Sequence, residues 1–450
     1  MANIIIGARP LIAHIMQTFR LANDLKRRGH TVTYALSASN LRHLVESQGF
    51  NFYHLSFLSN PASNRKSSSL LDKIPLAGQI RRTREQLKQI CESVLEGSAL
   101  QAMVDELAPD LIITDSTAIK YALPLLAWKI PMIMVSPTLP SEWDDNAPHT
   151  HSHHIPTASL LSQYRHKWEW VRHRLVRHIK WKLGLNEYSG CRRIAEHYGL
   201  SYSQLVDRAP LAVRVRLPQF ILCPAAFDFP RAERPNRYFL DSGVWQDYRE
   251  DAAEREFPWH RLTPNLPMVY CSFGTRLPEY GPCKERVGRL LKEIIGAFSK
   301  QNRFQLVVSV GSSFALSTFG SVPDDVIIVN KWIPQIKVLS RAAVHITHGG
   351  FASVRESIEC EVPMIVVPFD ADQPGNAARV VYHELGVRAF PNKITGSELV
   401  EVSHQVYASP KYKENIRKMK VEFDRQRARQ SAADVIEAIL IGKISMHSPS

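Results

Sequence analysis

The apolar positions of the chain form short continuous runs that alternate with stretches of helical period, and the alternation starts afresh near the middle. At the beginning, Ile4, Ile5 and Ile6 make a run suited to a strand buried on both faces. Ile15, Phe19, Ala22 and Leu25 then recur at three- and four-residue spacing, which predicts an amphipathic helix stopped at Gly29 and followed by a strand at 31–34. A long helical stretch over 79–107 leads through Pro109 and Asp110 to a strand at 111–114, with Asp115 at its end, and then to a strand at 132–135. Repeated strand, helix and strand of this kind predicts an α/β domain with a parallel sheet. Between 137 and 200 the alternation gives way to a proline- and histidine-containing loop and a basic helical region, an insertion of the sort that shapes a binding surface. An apolar run at 220–222 resumes the pattern, and the proline-rich 224–235 reads as a connector. A second series follows, with strands at 268–272, 305–309, 326–330, 344–347 and 364–369 and helices at 284–300 and 351–360. The pattern therefore predicts two Rossmann-like domains, 1–240 and 241–410, with a basic helical segment, 411–450, packing back across both.

Composition supports this without narrowing the function. A chain of 450 residues, 44% hydrophobic and 22% charged, is of ordinary globular type with room for more than one core. No run approaches the ~18 apolar residues of a membrane span, and the N-terminal isoleucines lack the basic leader of a signal peptide. The serine-rich 62–69 predicts a mobile loop. Net charge is +13, which favours anionic partners. No helix-turn-helix, zinc-finger or RNA-binding signature accompanies it, so nucleic acid is not an expected partner. Cys91, Cys191, Cys223, Cys271, Cys283 and Cys360 form no C-x-x-C pair and read as reduced thiols of a cytoplasmic protein.

The chemistry concentrates in 331–380. There a buried strand hands over to a helix through Gly349 and Gly350, which presents free N–H groups at the positive end of a helix dipole and suits a phosphate. His348, Ser353, Glu356, Asp372 and Gln373 surround that turn. Two further constellations stand apart. His149, His151, His153 and His154 could bind zinc by spacing, but a flexible loop over a cleft accounts for their position better, and no metal is expected. Residues 164–185 place Trp168, Val171, Leu175, Ile179 and Leu183 on one face among Arg165, Arg172, Arg177 and Lys180. Such a helix either docks on an anionic membrane surface or packs its apolar stripe on the domain and leaves its basic face in water.

These residues resemble family 1 glycosyltransferases of bacterial type, near the carotenoid (zeaxanthin) glucosyltransferases, which are UDP-sugar-dependent enzymes. The resemblance rests on Trp332-Ile333-Pro334-Gln335, Thr347-His348-Gly349-Gly350, Ser353, Glu356 and Asp372-Gln373, which fall in family order. It implies the GT-B fold, two Rossmann-like domains facing each other across a cleft. It also implies a donor site in the C-terminal domain. Trp332 and Ile333 would meet the base, Gln335 the ribose or base edge, and Glu356 the ribose hydroxyls. His348, Gly350 and Ser353, with Ser272, Gly274 and Thr275 from the neighbouring loop, would hold the diphosphate, and Asp372 and Gln373 the sugar. On the other side His14 resembles the family's general base and Asp115 the aspartate that orients it. The chain departs from the family where Ala13 replaces glycine, Gln17 replaces proline, and Phe351-Ala352 replaces tryptophan and asparagine. The implied activity is inverting transfer of a sugar from UDP to a hydroxyl of a small lipophilic acceptor (carotenoid, polyketide, sterol or phenolic), with no metal or further cofactor. A peripheral membrane enzyme acting on a lipid, a nucleotide-sugar epimerase and a non-catalytic binding protein of the same fold are the alternatives.

Overall fold

The strands are nearly continuous runs of Ile, Val, Leu and Met because helices cover both faces of each sheet. The computed structural model describes residues 1–56, 75–186, 189–201, 217–234, 236–240, 243–245, 249–274, 282–311 and 314–443. The expected loop at 62–69 lies outside the described residues. The first sheet comprises β1 (Asn3–Gly7), β2 (Thr31–Leu36), β3 (Asn51–His54), β4 (Leu111–Asp115), β5 (Met132–Ser136), β6 (Gln219–Ile221) and β7 (Arg237–Phe239). They pair in the order β3-β2-β1-β4-β5-β6-β7, all parallel. The second comprises β8 (Met268–Ser272), β9 (Gln305–Ser309), β10 (Val326–Val329), β11 (Ala342–Thr347), β12 (Met364–Val366) and β13 (Gly386–Arg388). Its order is β10-β9-β8-β11-β12-β13, again all parallel. Two doubly wound α/β sheets are thus present, as expected.

Four details correct or extend the sequence reading. β3 and β7 lie at the edges of their sheet, half exposed, and so carry no apolar run by which to be recognised. The helical stretch over 79–107 is two helices, Pro75–Glu96 and Ser98–Leu107, because Gly97 between them has φ +69°, a left-handed conformation that glycine accepts without strain. The strand expected to run to 369 stops at Val366, and the following residues form the loop into the helix Gln373–Tyr382. Finally, the helix Leu160–Lys182 does not pack its apolar stripe on the domain. Ser162, His166 and Trp170 are its buried residues, and Trp168 and Leu175 face solvent.

One face of the first sheet packs Ile4, Ile6, Tyr34 and Ile113 against Phe19 and Leu25 of the helix Ile12–Arg27 and against Val435 and Ile436 of the helix Ala432–Leu440. The late segment of the chain is therefore part of the first domain's core. The opposite face, with Ile5, Ile112 and Met134, packs on Leu100, Met103, Leu123 and Ile194. A separate cluster unites the domains: Leu139, Ile221, Cys223 and Phe227 from the first meet Phe351, Val354, Val366 and Val380 from the second, with Ile416 and Phe423 of the helix Pro410–Arg429. Beside it, fully buried Arg379 donates from Nε at 2.8 Å and from Nη2 at 2.6 Å to Oδ1 of Asp228. Arg231 donates to Oδ2 of the same carboxylate at 2.5 Å. Burial would raise the Asp228 carboxyl, but the two guanidinium groups outweigh it and hold it below its usual range.

Candidate active site

In open α/β sheets ligands bind beyond the C-terminal strand ends where the strand order reverses. The reversal falls between β1 and β4 in the first sheet and between β8 and β11 in the second. His14 follows β1 and Asp115 ends β4; Gly274 follows β8, and His348, Gly349 and Gly350 follow β11. Both groups of residues singled out from the sequence therefore occupy the switch points of their own sheets.

On the first side, His14 Nδ1 lies 2.6 Å from Oδ2 of Asp115. The other carboxylate oxygen accepts from the Thr117 backbone N–H and hydroxyl, each at 2.8 Å. Burial pushes the Asp115 carboxyl up, yet the His14 contact and the Thr117 hydrogen bonds prevail and keep it below the ordinary range. An ionised, fully bonded aspartate fixes which ring nitrogen of His14 carries a proton toward it. A cavity opens beside the loop between β1 and the helix that carries His14. Gly7, Ala8 and Pro10 form part of its wall, and the remainder is chiefly apolar, with Leu55, Leu100, Met103, Ile112, Tyr121 and Leu125.

On the second side, Gly349 has φ +81° and its N–H donates to Thr347 Oγ1 at 3.3 Å, which turns the chain sharply into the helix Phe351–Glu359. No side chain caps that helix, and Gly350 occupies its N-cap position, so the first N–H groups face the crevice unhindered. The His348 ring is held between two glycines: a Cβ on Gly350 would stand 2.4 Å from its Nε2, and one on Gly274 2.6 Å from its Cε1. Ser272 accepts from the Gly274 N–H at 3.4 Å. Gln335 accepts from the Tyr270 hydroxyl at 3.0 Å and donates to Glu356, so these two polar residues of the donor pattern are locked to each other. Ser353 lies in the first turn of the same helix and Trp332 is half-buried just ahead of Gln335. The Ile333 side chain is buried with Tyr270, Val338 and Leu339, which leaves its backbone for any ligand. Thr275 lies outside the described residues. Gln373 accepts through Oε1 from the N–H groups of Phe369 at 2.8 Å and Asp370 at 3.1 Å, so its amide oxygen holds the loop.

Asp372 links the two sides. Its carboxyl is raised, chiefly by burial, while the Asn376 amide at 3.0 Å and the charges of His151 and His14 act in the opposite sense. Two residues from the first domain thus lie close enough to act electrostatically on a carboxylate of the second. The contact is built by the loop ahead of the helix Leu160–Lys182, where Thr150 O accepts from the Gly375 N–H at 3.0 Å. A Cβ on Gly375 would stand 2.2 Å from that carbonyl, so only glycine permits the approach. Arg388 donates to His153 O at 2.7 Å alongside. In the histidine loop, the His149 ring stacks on His173 at 4.5 Å with planes 20° apart, and among the described residues no group of three or more His, Cys, Asp or Glu side chains is placed to hold a metal ion.

Sequence reading missed Asn376, which also donates to Gly349 O at 2.9 Å and so ties the phosphate turn to Asp372. It missed Tyr270 as the anchor of Gln335 and the Asp228–Arg379 pair. Of these, only Asn376 carried a local signal, since it stands one helical turn after Asp372.

Comparison with known proteins places this architecture. The chain is 24% identical over 442 residues to the zeaxanthin glucosyltransferase of Pantoea ananas, covering 96% of this chain and 95% of that protein. Its fold matches the solved glycosyltransferase of kitacinnamycin with a TM-score of 0.71 at 22% identity, over 98% of this chain and 99% of the other. It also matches glycosyltransferase VinC, solved in complex with dTDP, with a TM-score of 0.63 at 17% identity over 98% of each chain. The fold is the expected GT-B arrangement. The family model described as UDP-glucoronosyl and UDP-glucosyl transferase matches residues 10–426, nearly the whole chain, and this protein belongs to that family of glycosyltransferases.

Proposed function

We propose that the protein transfers a sugar, with inversion, from a UDP-sugar to a hydroxyl of a small lipophilic acceptor. The observation that carries the reading is the 2.6 Å contact of His14 Nδ1 with a carboxylate kept ionised below its ordinary range. With Nδ1 occupied, Nε2 is the ring nitrogen that takes the acceptor's proton, and Asp115 stabilises the imidazolium that results. The acceptor oxygen forms its bond to the anomeric carbon as the bond from that carbon to the diphosphate breaks on the opposite side, which inverts the centre. Negative charge grows on the leaving diphosphate, and the N–H groups of the helix Phe351–Glu359 with His348 receive it, so the reading calls for no metal. Glu356, held by Gln335, takes the ribose hydroxyls; Trp332 stacks on the base; Asp372 reads the sugar. The resemblance to a zeaxanthin glucosyltransferase supports the carotenoid class among the acceptors considered.

His14→Ala tests the assignment. Transfer from UDP-glucose is expected to be lost while UDP binding, followed by thermal shift, stays at the level of the unaltered protein. Retained turnover removes His14 as the base, and a product of retained anomeric configuration removes the in-line mechanism.

A further inference from the structure

The helix Leu160–Lys182 is turned inside out. At 100° per residue its buried side carries Ser162, His166 and Trp170, and the arc directly opposite carries Leu160, Leu161, Tyr164, Trp168, Leu175 and Ile179. These face outward: Leu161 is 80% exposed, Trp168 67% and Leu175 58%. The stripe runs the length of a 23-residue helix, about 34 Å at ~1.5 Å per residue. Scattered exposed apolar residues are ordinary on a protein surface, but a continuous stripe of this length marks an interaction face.

Nor is the helix loosely placed. Trp170 Nε1 donates to Ala147 O at 2.9 Å, His154 Nε2 lies 2.9 Å from Ser162 Oγ, and Ser152 Oγ bonds Glu169. The polar side is committed to the domain, which leaves no rotation that would bury the stripe. Charge selects the occupant. Arg165 and Arg172 border the stripe on one side and Lys167 on the other, Lys182 lies at its far end, and Glu169 is the helix's one carboxylate, on the inward side. From these observations we propose that this face docks on an anionic lipid bilayer, with the apolar arc at the acyl boundary and the flanking cations among the headgroups. A second copy of the chain fits less well, since symmetric pairing of the stripe would oppose Arg165, Arg172 and Lys167 to their own like charges.

The proposal is independent of transfer chemistry and is tested without donor or acceptor. The full chain is sedimented with vesicles of phosphatidylcholine alone and of phosphatidylcholine mixed with phosphatidylglycerol. Binding is expected to the anionic vesicles and to fall with salt. Trp168→Ser with Leu175→Ser lowers partition roughly tenfold or more. Arg165→Gln with Arg172→Gln lowers it about fivefold per residue on anionic vesicles. All four positions are exposed, and an unchanged melting temperature certifies each variant as folded. The proposal is overturned if the protein stays in solution with anionic vesicles, or if either pair of replacements leaves binding unchanged. It is also overturned if the protein sediments as a dimer that Leu175→Glu dissociates, which would make a second copy the occupant.

Discussion

Replacing Gly350 with alanine perturbs the phosphate turn without removing a polar group. The backbone there, φ −58° and ψ 141°, lies in a region open to alanine, so no torsional cost arises. The effect is steric and aimed at one side chain: the new methyl would lie 2.4 Å from His348 Nε2 and 2.8 Å from Cε1, well inside contact distance. The ring already rests against Gly274 on its other side and has to rotate out of the crevice. A hydrogen bond to a charged group contributes about 1.5–3 kcal/mol, so losing the His348 contact to a diphosphate weakens UDP binding roughly 10- to 150-fold. Titration calorimetry with UDP on the unaltered protein, Gly350→Ala, His348→Ala and the double variant reads this directly. If alanine acts through the ring, the double variant binds no more weakly than His348→Ala alone. A folded Gly350→Ala protein that binds UDP within about twofold of the original, or two effects that simply add, would refute a role for His348 in holding the diphosphate.

Asp115→Asn keeps the shape but presents an amide to His14; the same exchange in serine hydrolases costs about 10⁴ in kcat. Here kcat is expected to fall by about 10²–10⁴ with UDP binding unchanged, and a loss smaller than tenfold speaks against the pair. Asp228→Asn leaves Arg379 buried beside an uncharged partner and lowers unfolding free energy by about 3–5 kcal/mol in urea titration; a change below about 1 kcal/mol shows the pair to be dispensable. Burial holds His149 at a pKa of about 4 and His345 at about 3, against the ordinary 6.5. The unfolded chain therefore takes up protons first on acidification. Stability from these neutral histidines is complete above pH 6.5 and declines as pH falls toward 4, by up to about 1.4 kcal/mol per unit for each. Asp115 and Asp228, both depressed, hold their contribution until pH falls below the ordinary 3.8. A melting temperature that does not change between pH 7 and 5 contradicts the histidine part.

The donor turn was legible because its signal is local, while the His14–Asp115 pair came through the family resemblance. A strand end, a double glycine and a helix start are adjacent in sequence, and a histidine after one strand and an aspartate ending another need only the α/β topology to bring them together. The Asp228–Arg379 pair was not, since its partners lie 151 residues apart and meet only once the domains close on a common core. The helix Leu160–Lys182 shows a different limit. Its period displayed an apolar stripe but not its direction, and the side with fewer apolar residues is the one buried, fixed by hydrogen bonds to a loop that no periodicity describes. Gln373 was assigned to the sugar by the family resemblance, and no local signal announced the second task of its amide oxygen, which accepts from two backbone N–H groups of the loop that follows β12.

The helix Ala432–Leu440 completes the core that begins with Ile4, and Arg28 pairs with its Asp434 at 2.6 Å and Glu437 at 2.5 Å. During synthesis the ribosome delivers that helix only after the whole second domain. Until then the part of the first sheet's face that Val435 and Ile436 cover, beside the helix Ile12–Arg27, waits exposed, so the first domain is expected to finish folding only after its last helix emerges. Final consolidation is then expected after translation, with apolar surface open to chaperones until the last helix docks. A chain stalled at residue 430 is expected to leave the first domain open to protease, and resistance matching the complete protein would show that the domain closes without its last helix.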